Sequence, residues 1–143
     1  MKTRKRIFIL FILGLLLVTA LTVQGQEIKV VVNNVKDDTG TVWVALHTPA
    51  EEYMKERYMW FKVSAQKGTV SGVFKDVPNG NYAISVMHDF NNNRELDKNA
   101  FGIPQEGFGF SNDAMGRFGP PDFKKASFEV PKRKEVIIKM RYM

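Results

Sequence analysis

Residues 77–88 read Val-Pro-Asn-Gly-Asn-Tyr-Ala-Ile-Ser-Val-Met-His, and this stretch decides the fold class. Pro78 presets φ, and Asn79-Gly80 tolerates positive φ, so the stretch opens on a tight turn. Apolar residues then alternate with other residues from Tyr82 onward, a period of two that is typical of a half-buried β-strand. The stretch therefore predicts a turn that leads into a strand of an antiparallel sheet.

The same alternation recurs along the rest of the chain between clusters of Gly, Pro, Asn and Asp. It predicts seven short strands, at residues 28–32, 42–46, 59–65, 70–74, 82–88, 126–130 and 136–142. Their number and spacing favour an all-β fold, an antiparallel two-layer sandwich of immunoglobulin-like or transthyretin-like kind, with a small barrel as the alternative. We expect the first two strands to form a hairpin, and residues 49–56 to hold one or two helical turns.

The N-terminal residues have the pattern of an export signal. Basic residues precede residue 7, and an uninterrupted apolar run covers residues 7–18, shorter than the roughly 20 residues that a membrane-spanning helix needs. We expect a signal peptide at 1–25, one domain at 26–143 and no membrane span after cleavage. Cleavage after Ala20 and an uncleaved anchor are the alternatives. The protein is then periplasmic or secreted, and without cysteine it has neither a lipid anchor nor disulfides.

The net charge of +6 comes mostly from the predicted signal peptide. That segment holds four of the 21 basic residues and none of the 15 acidic ones. The remaining chain carries 17 basic and 15 acidic side chains, too even a balance to favour nucleic acid as a partner. We expect an envelope or extracellular ligand that the sequence does not name.

The segment after the decisive strand, residues 88–99, reads His-Asp-Phe-Asn-Asn-Asn-Arg-Glu-Leu-Asp-Lys-Asn. Its polar residues fall at every second position, as do the oxygen donors of calcium loops, in which the seventh position supplies a backbone carbonyl. Arg94 stands at the glycine position and Ala100 at the twelfth, so the segment is not an EF-hand. We predict a calcium ion, Ca²⁺, bound by Asp89, Asn91, Asn93, the carbonyl of Glu95, Asp97 and Glu106.

Two other interpretations of this region stay open. Asp and Asn side chains also form Asx-turns with nearby backbone N–H groups, without any ion. His88 is in phase with Tyr82 and Val86, so a buried histidine bonded to loop backbone is favoured over a catalytic base. Residues 89–122 form one unusually long loop. We expect its rings Phe101, Phe108 and Phe110 to cover the sandwich, or else to form a ligand platform.

Three joined motifs resemble one known family. They are Val77-Pro78-x-Gly80-x-Tyr82-Ala83, His88-Asp89-x-Asn91-x-Asn93-x-x-Leu96-Asp97-x-Asn99 and Gly102-Ile103-Pro104-x-Glu106-Gly107-x-Gly109-Phe110-Ser111-Asn112. The chain resembles the bacterial domain-of-unknown-function family numbered 2141, which implies an exported protein of about this size and no particular activity. That family commonly has Gly near Arg94. The first motif is also similar to the turn of transthyretin-like and carboxypeptidase-regulatory-like sandwich domains.

Taken together, the residues favour a non-enzymatic binding module whose loop is ordered by calcium. The alternatives are a hydrolase that uses His88 with loop carboxylates, and an envelope structural subunit. A Gly-x-Ser-x-Gly elbow and a His-Glu-x-x-His zinc helix are both absent from the sequence, which argues against an enzyme. Lys139 and Arg141 on the last predicted strand argue against edge pairing with a partner.

Overall fold

Two β-sheets form a sandwich around the main apolar core. The computed structural model describes residues 25–49 and 53–143; nearly all of the predicted signal peptide lies outside them. The strands are β1 (Gln26–Val35), β2 (Thr41–His47), β3 (Met59–Ser64), β4 (Gly68–Val77), β5 (Gly80–Asp89), β6 (Gly107–Phe110), β7 (Phe128–Val130) and β8 (Glu135–Lys139). A 3-10 turn spans Ser111–Asp113, and a one-turn helix, α1, spans Phe123–Ala126.

Strand pairing gives one sheet in the order β4-β1-β8 and a second in the order β3-β2-β5-β6, with β7 also paired to β5. The predicted hairpin of the first two strands is wrong, because β1 and β2 lie in different sheets. Val30 of β1 and Val44 of β2 both lie in the buried core. The alternating pattern showed which face of each strand is buried but not which strands are hydrogen-bonded to each other. Two strands that face each other across the core have the same pattern as two strands paired within one sheet.

One pairing departs from an antiparallel sheet: β1 and β8 are parallel, in register from Lys29 opposite Glu135 to Asn33 opposite Lys139. This arrangement is possible because β7 pairs in the second sheet, so the chain changes sheets before β8 begins. Beyond β8, Phe108 and Arg141 exchange two backbone hydrogen bonds of 2.9 and 2.8 Å. The C-terminal segment therefore links the two sheets along one side.

The alternating apolar residues of the predicted strands are buried in one cluster, which includes Val42, Val44, Leu46, Tyr82, Ile84, Val86, Phe128, Val136 and Ile138. The helical turns expected at 49–56 are not seen at residues 53–56, which form a turn, while 50–52 lie outside the described residues. No helix in the described part of the chain is long and apolar enough to cross a membrane.

The long segment 89–122 is more structured than predicted, since it contains β6 and the 3-10 turn. Phe108 and Phe110 are buried in a second cluster, as expected for rings that cover the sandwich. Phe101 is 89% exposed, so its predicted place in that cover is wrong. It lies at the tip of a separate hairpin and is not part of this cluster.

Candidate functional site

The connection from β5 to β6, residues 89–106, is called the Asp89 loop here. Asp89 ends β5 and is 0% exposed. Its Oδ1 accepts the N–H of Asn93 at 3.1 Å, and its Oδ2 accepts the N–H of Arg94 at 2.9 Å and the indole N–H of Trp43 at 3.1 Å. A single buried carboxylate thus joins the start of the loop to strand β2.

The asparagines continue this pattern along the loop. Asn91 Oδ1 accepts the N–H of Asn93 at 3.0 Å, and Asn93 Oδ1 accepts the N–H of Glu95 at 2.9 Å. Their side-chain amides converge on Asp97, with Nδ2 to carboxylate oxygen distances of 2.6 Å from Asn91 and 2.9 Å from Asn93. The alternating donors therefore turn the backbone and meet at one carboxylate.

Glu106 lies immediately before β6 and is 2% exposed. Its Oε1 accepts the N–H of Phe90 at 2.8 Å and its Oε2 accepts the N–H of Asp97 at 3.0 Å. It ties the end of the loop to its beginning and its middle, because each of its oxygens is bonded to a different part of the backbone. This role depends on the closeness of Glu106 to Phe90 and Asp97 in the folded chain, which the spacing of these residues in the sequence does not predict.

A short hairpin projects from the loop. Gln105 N–H donates to the carbonyl of Asp97 at 2.8 Å, and Asn99 N–H donates to the carbonyl of Ile103 at 2.9 Å. Asn99 Oδ1 then accepts the N–H groups of Phe101 and Ile103 at 2.9 and 3.0 Å. These bonds define the backbone of the tip, at which the side chain of Phe101 is exposed.

The predicted metal ligands are thus brought together, but mainly through hydrogen bonds to one another and to backbone. Within residues 25–49 and 53–143, no three His, Cys, Asp or Glu side chains are grouped so that they could hold a metal ion. Both oxygens of Asp89 and of Glu106 accept N–H groups. The side chains of Asn91, Asn93 and Asp97 converge near the surface, where both asparagines present Nδ2 to the carboxylate and use Oδ1 to accept backbone N–H groups.

Buried carboxylates without a cationic partner are the feature that fits a cation. None of the ion pairs found in the described residues involves Asp89, Asp97 or Glu106. Buried charges are usually paired with an opposite charge or bound to a metal. Arg94 has φ of 69°, so it adopts the left-handed conformation that glycine supplies at the sixth position of calcium loops.

His88 lies under the loop and is completely buried. The N–H of Lys36 donates to the Tyr142 hydroxyl at 2.9 Å, and that hydroxyl lies 2.7 Å from His88 Nδ1, while Nε2 lies 2.7 Å from the carbonyl of Thr39. A carbonyl only accepts, so Nε2 carries the proton and Nδ1 accepts from Tyr142. Burial raises the pKa of Tyr142, which keeps its hydroxyl protonated. With both ring nitrogens bonded, His88 fits the structural role better than that of a base.

Comparison with known families matches the model of DUF2141, described as an uncharacterised protein conserved in bacteria, over residues 30–139. The chain belongs to this family. No curated protein and no solved structure gives a match. The matched span runs from β1 to β8 and includes the whole Asp89 loop.

In this DUF2141 chain, the Ser111-Asn112-Asp113 turn has a structural role that sequence reasoning missed. Ser111 Oγ accepts the N–H of Ile84 at 2.9 Å and donates to the carbonyl of Ala126 at 2.5 Å. Asn112 donates to two carbonyls around α1, and Asp113 accepts the N–H of Lys139 at 3.0 Å. The only feature of the sequence that indicated this role is the position of the three polar residues directly after the Gly-Phe-Gly-Phe segment 107–110.

His47 is a second buried histidine, on the outer face of the same sheet. Its Nδ1 lies 3.1 Å from the carbonyl of Glu56 and its Nε2 lies 2.8 Å from Ser85 Oγ. The carbonyl requires a proton on Nδ1, so Ser85 donates to Nε2. Burial, aided by the charge of Arg57, lowers the pKa of His47. In this chain, a neutral imidazole therefore ties the segment after β2 to strand β5.

Proposed function

We propose that this DUF2141 protein is an exported, non-enzymatic binding module that presents the Asp89 loop outside the cytoplasm. The observation that carries the proposal is Phe101, a large apolar side chain that is 89% exposed on a hairpin bonded along its backbone. A rigid, exposed anchor loses little conformational entropy when it binds, which favours recognition. The charged and apolar N-terminal pattern supports export.

We further propose that one calcium ion stabilises the loop, with oxygen from Asn91, Asn93, Asp97, Asp89 and the Glu95 carbonyl as the donor set. A half-turn of each asparagine amide would turn Oδ1 toward Asp97, with the loss of the two hydrogen bonds that these oxygens accept from the N–H groups of Asn93 and Glu95. Glu106 supports the loop through the backbone of Phe90 and Asp97. With neutral asparagine at two donor positions, the site belongs among weak extracellular sites, with a dissociation constant of about 10⁻⁴ to 10⁻³ M.

Thermal unfolding of the exported, processed protein in calcium and in chelator tests the ion. At about 100 times the dissociation constant, calcium should add about 2.7 kcal/mol to the free energy of unfolding. Asp97→Asn should remove that gain. Asp38→Asn is the matched control, because Asp38 also accepts a backbone N–H, that of Lys67, in a different turn. Equal melting temperatures in calcium and chelator would show that the loop is built from Asx-turns alone.

Mass analysis of the exported protein tests the other part of the proposal. A mature chain that begins at Gln26 and is recovered in a fraction free of membranes is expected. An intact N-terminal segment in the membrane fraction would contradict export by cleavage. The two experiments are independent, because the melting temperature does not depend on which compartment holds the protein.

A further inference from the structure

Two phenylalanines are almost fully exposed to water. Phe101 is 89% exposed and Phe118 is 95% exposed, whereas large aromatic side chains are usually mostly buried. Each ring stands beside glycine in the sequence, Gly102 in the first case and Gly119 in the second. Neither has a large apolar neighbour next to it in the chain, so each ring projects as a single anchor.

Basic side chains accompany both rings. The guanidinium of Arg117 lies over the ring of Phe118, 5.5 Å from its centroid. On the loop that carries Phe101, the exposed charged side chains are two basic ones, Arg94 and Lys98, and one acidic one, Glu95. Aromatic rings with cations beside them suit the interfacial zone of a bilayer, where the ring enters the acyl boundary and the cation stays at the headgroups.

The two tips leave the domain from the same cluster. Leu96, which precedes Phe101, and Met115, which precedes Phe118, both pack against the buried cluster that contains Phe108 and Phe110. The 3-10 turn that begins the second segment is fixed by the hydrogen bonds of Ser111 and Asp113. The two exposed rings therefore belong to segments that leave the same buried cluster.

We propose that Phe101 and Phe118 are membrane anchors, which insert into the surface of a bilayer that contains anionic phospholipid. The inference rests on the proposed function, since it names the partner of the presented loop. A lipid surface fits better than a protein partner because a bilayer accepts an isolated ring anywhere, whereas a protein must offer a pocket for each ring. Binding through such anchors is peripheral and reversible.

Vesicle sedimentation of the exported, processed protein tests this, with phosphatidylglycerol in phosphatidylethanolamine compared with phosphatidylcholine alone, in millimolar calcium. Stronger binding to the anionic vesicles is expected. Phe101→Ser and Phe118→Ser should each lower the partition coefficient about tenfold, the ratio that corresponds to about 1.4 kcal/mol and a partly buried ring. Lys98→Glu should lower it about fivefold or more, since one surface cation is worth about 1 kcal/mol.

Matched controls lie on the other sheet. Ile137→Ser removes an apolar side chain that is 55% exposed, and Lys75→Glu reverses an exposed charge on β4; both should leave binding unchanged. Equal binding of neutral and anionic vesicles, or equal binding of wild type and Phe101→Ser, overturns the proposal. Because calcium-dependent melting is measured without lipid, a stabilised protein that ignores vesicles would refute this inference and leave the proposed function standing.

Discussion

Replacing Asp89 gives the sharpest test of how the loop is held together. Asp89→Ala removes the acceptor of three N–H groups while its site stays buried. Hydrogen bonds to a charged group are worth about 1.5 to 3 kcal/mol each, and buried donors left alone cost about 1 to 3 kcal/mol. Water can reach the N–H groups of the loop and offset part of this cost, so we expect the free energy of unfolding to decrease by about 3 to 6 kcal/mol. That is a large share of the free energy of unfolding of a typical domain, which is about 5 to 15 kcal/mol.

Urea unfolding followed by circular dichroism, in chelator so that no ion contributes, measures this loss. Asp89→Asn retains one oxygen and should lose less, about 1 to 3 kcal/mol. Trp43→Phe removes one donor, so the double variant with Asp89→Asn should lose less than the sum of the two single losses. If Asp89→Ala unfolds within about 1 kcal/mol of wild type, a range typical of surface changes, the carboxylate does not organise the loop.

Two further changes test the backbone and the buried imidazole. Arg94→Gly should stabilise the protein by up to about 1 kcal/mol in urea unfolding, because φ at residue 94 is 69° and glycine adopts that conformation without steric cost. Arg94→Ala, which keeps the strain, is the control. A glycine variant that is less stable than the alanine variant would contradict the argument. Because the pKa of His47 is lowered in the folded protein, the unfolded chain binds more protons than the folded protein once the pH falls below about 6.5. The free energy of unfolding should therefore decrease by up to about 1.4 kcal/mol per pH unit below that pH, until the pKa of the folded state is reached. The drop should be smaller in His47→Gln, and equal slopes for the two proteins between pH 5.5 and 6.5 would show that His47 titrates as freely in the folded state as in the unfolded chain.

The buried faces of the strands were predictable, because an alternating pattern reports burial directly. Val42 and Ile84 needed no structure to be placed in the core. The partner of each strand was not predictable from the same pattern, as the error over β1 and β2 shows. Strand β6 was missed because Gly107 and Gly109 take the places of apolar residues: a Cβ on Gly107 would lie 2.5 Å from the Tyr142 ring, and one on Gly109 2.9 Å from Ile138.

For the loop, the sequence predicted the polar positions but not their partners. The spacing of Asp89, Asn91 and Asn93 was enough to predict side chains that bond to backbone a few residues onward, because Asx-turns are local. The roles of Trp43 and Glu106 could not be predicted from the sequence, because each joins segments that come together only in the folded domain. Whether a side-chain oxygen accepts an N–H group or binds an ion depends on its surroundings in the folded protein, and the spacing of residues in the sequence does not determine those surroundings.

The place of β1 between β4 and β8 has a consequence for how the chain folds. Asn34 donates to the carbonyl of Met140 across 106 positions of sequence, and the β1–β8 register is just as distant. Contacts of such high separation form slowly, because loop closure has to precede them. The first strand therefore lacks one of its two neighbours until residues 135–139 have been synthesised. A chain built this way stays incomplete through most of its synthesis, which is compatible with the export that we propose.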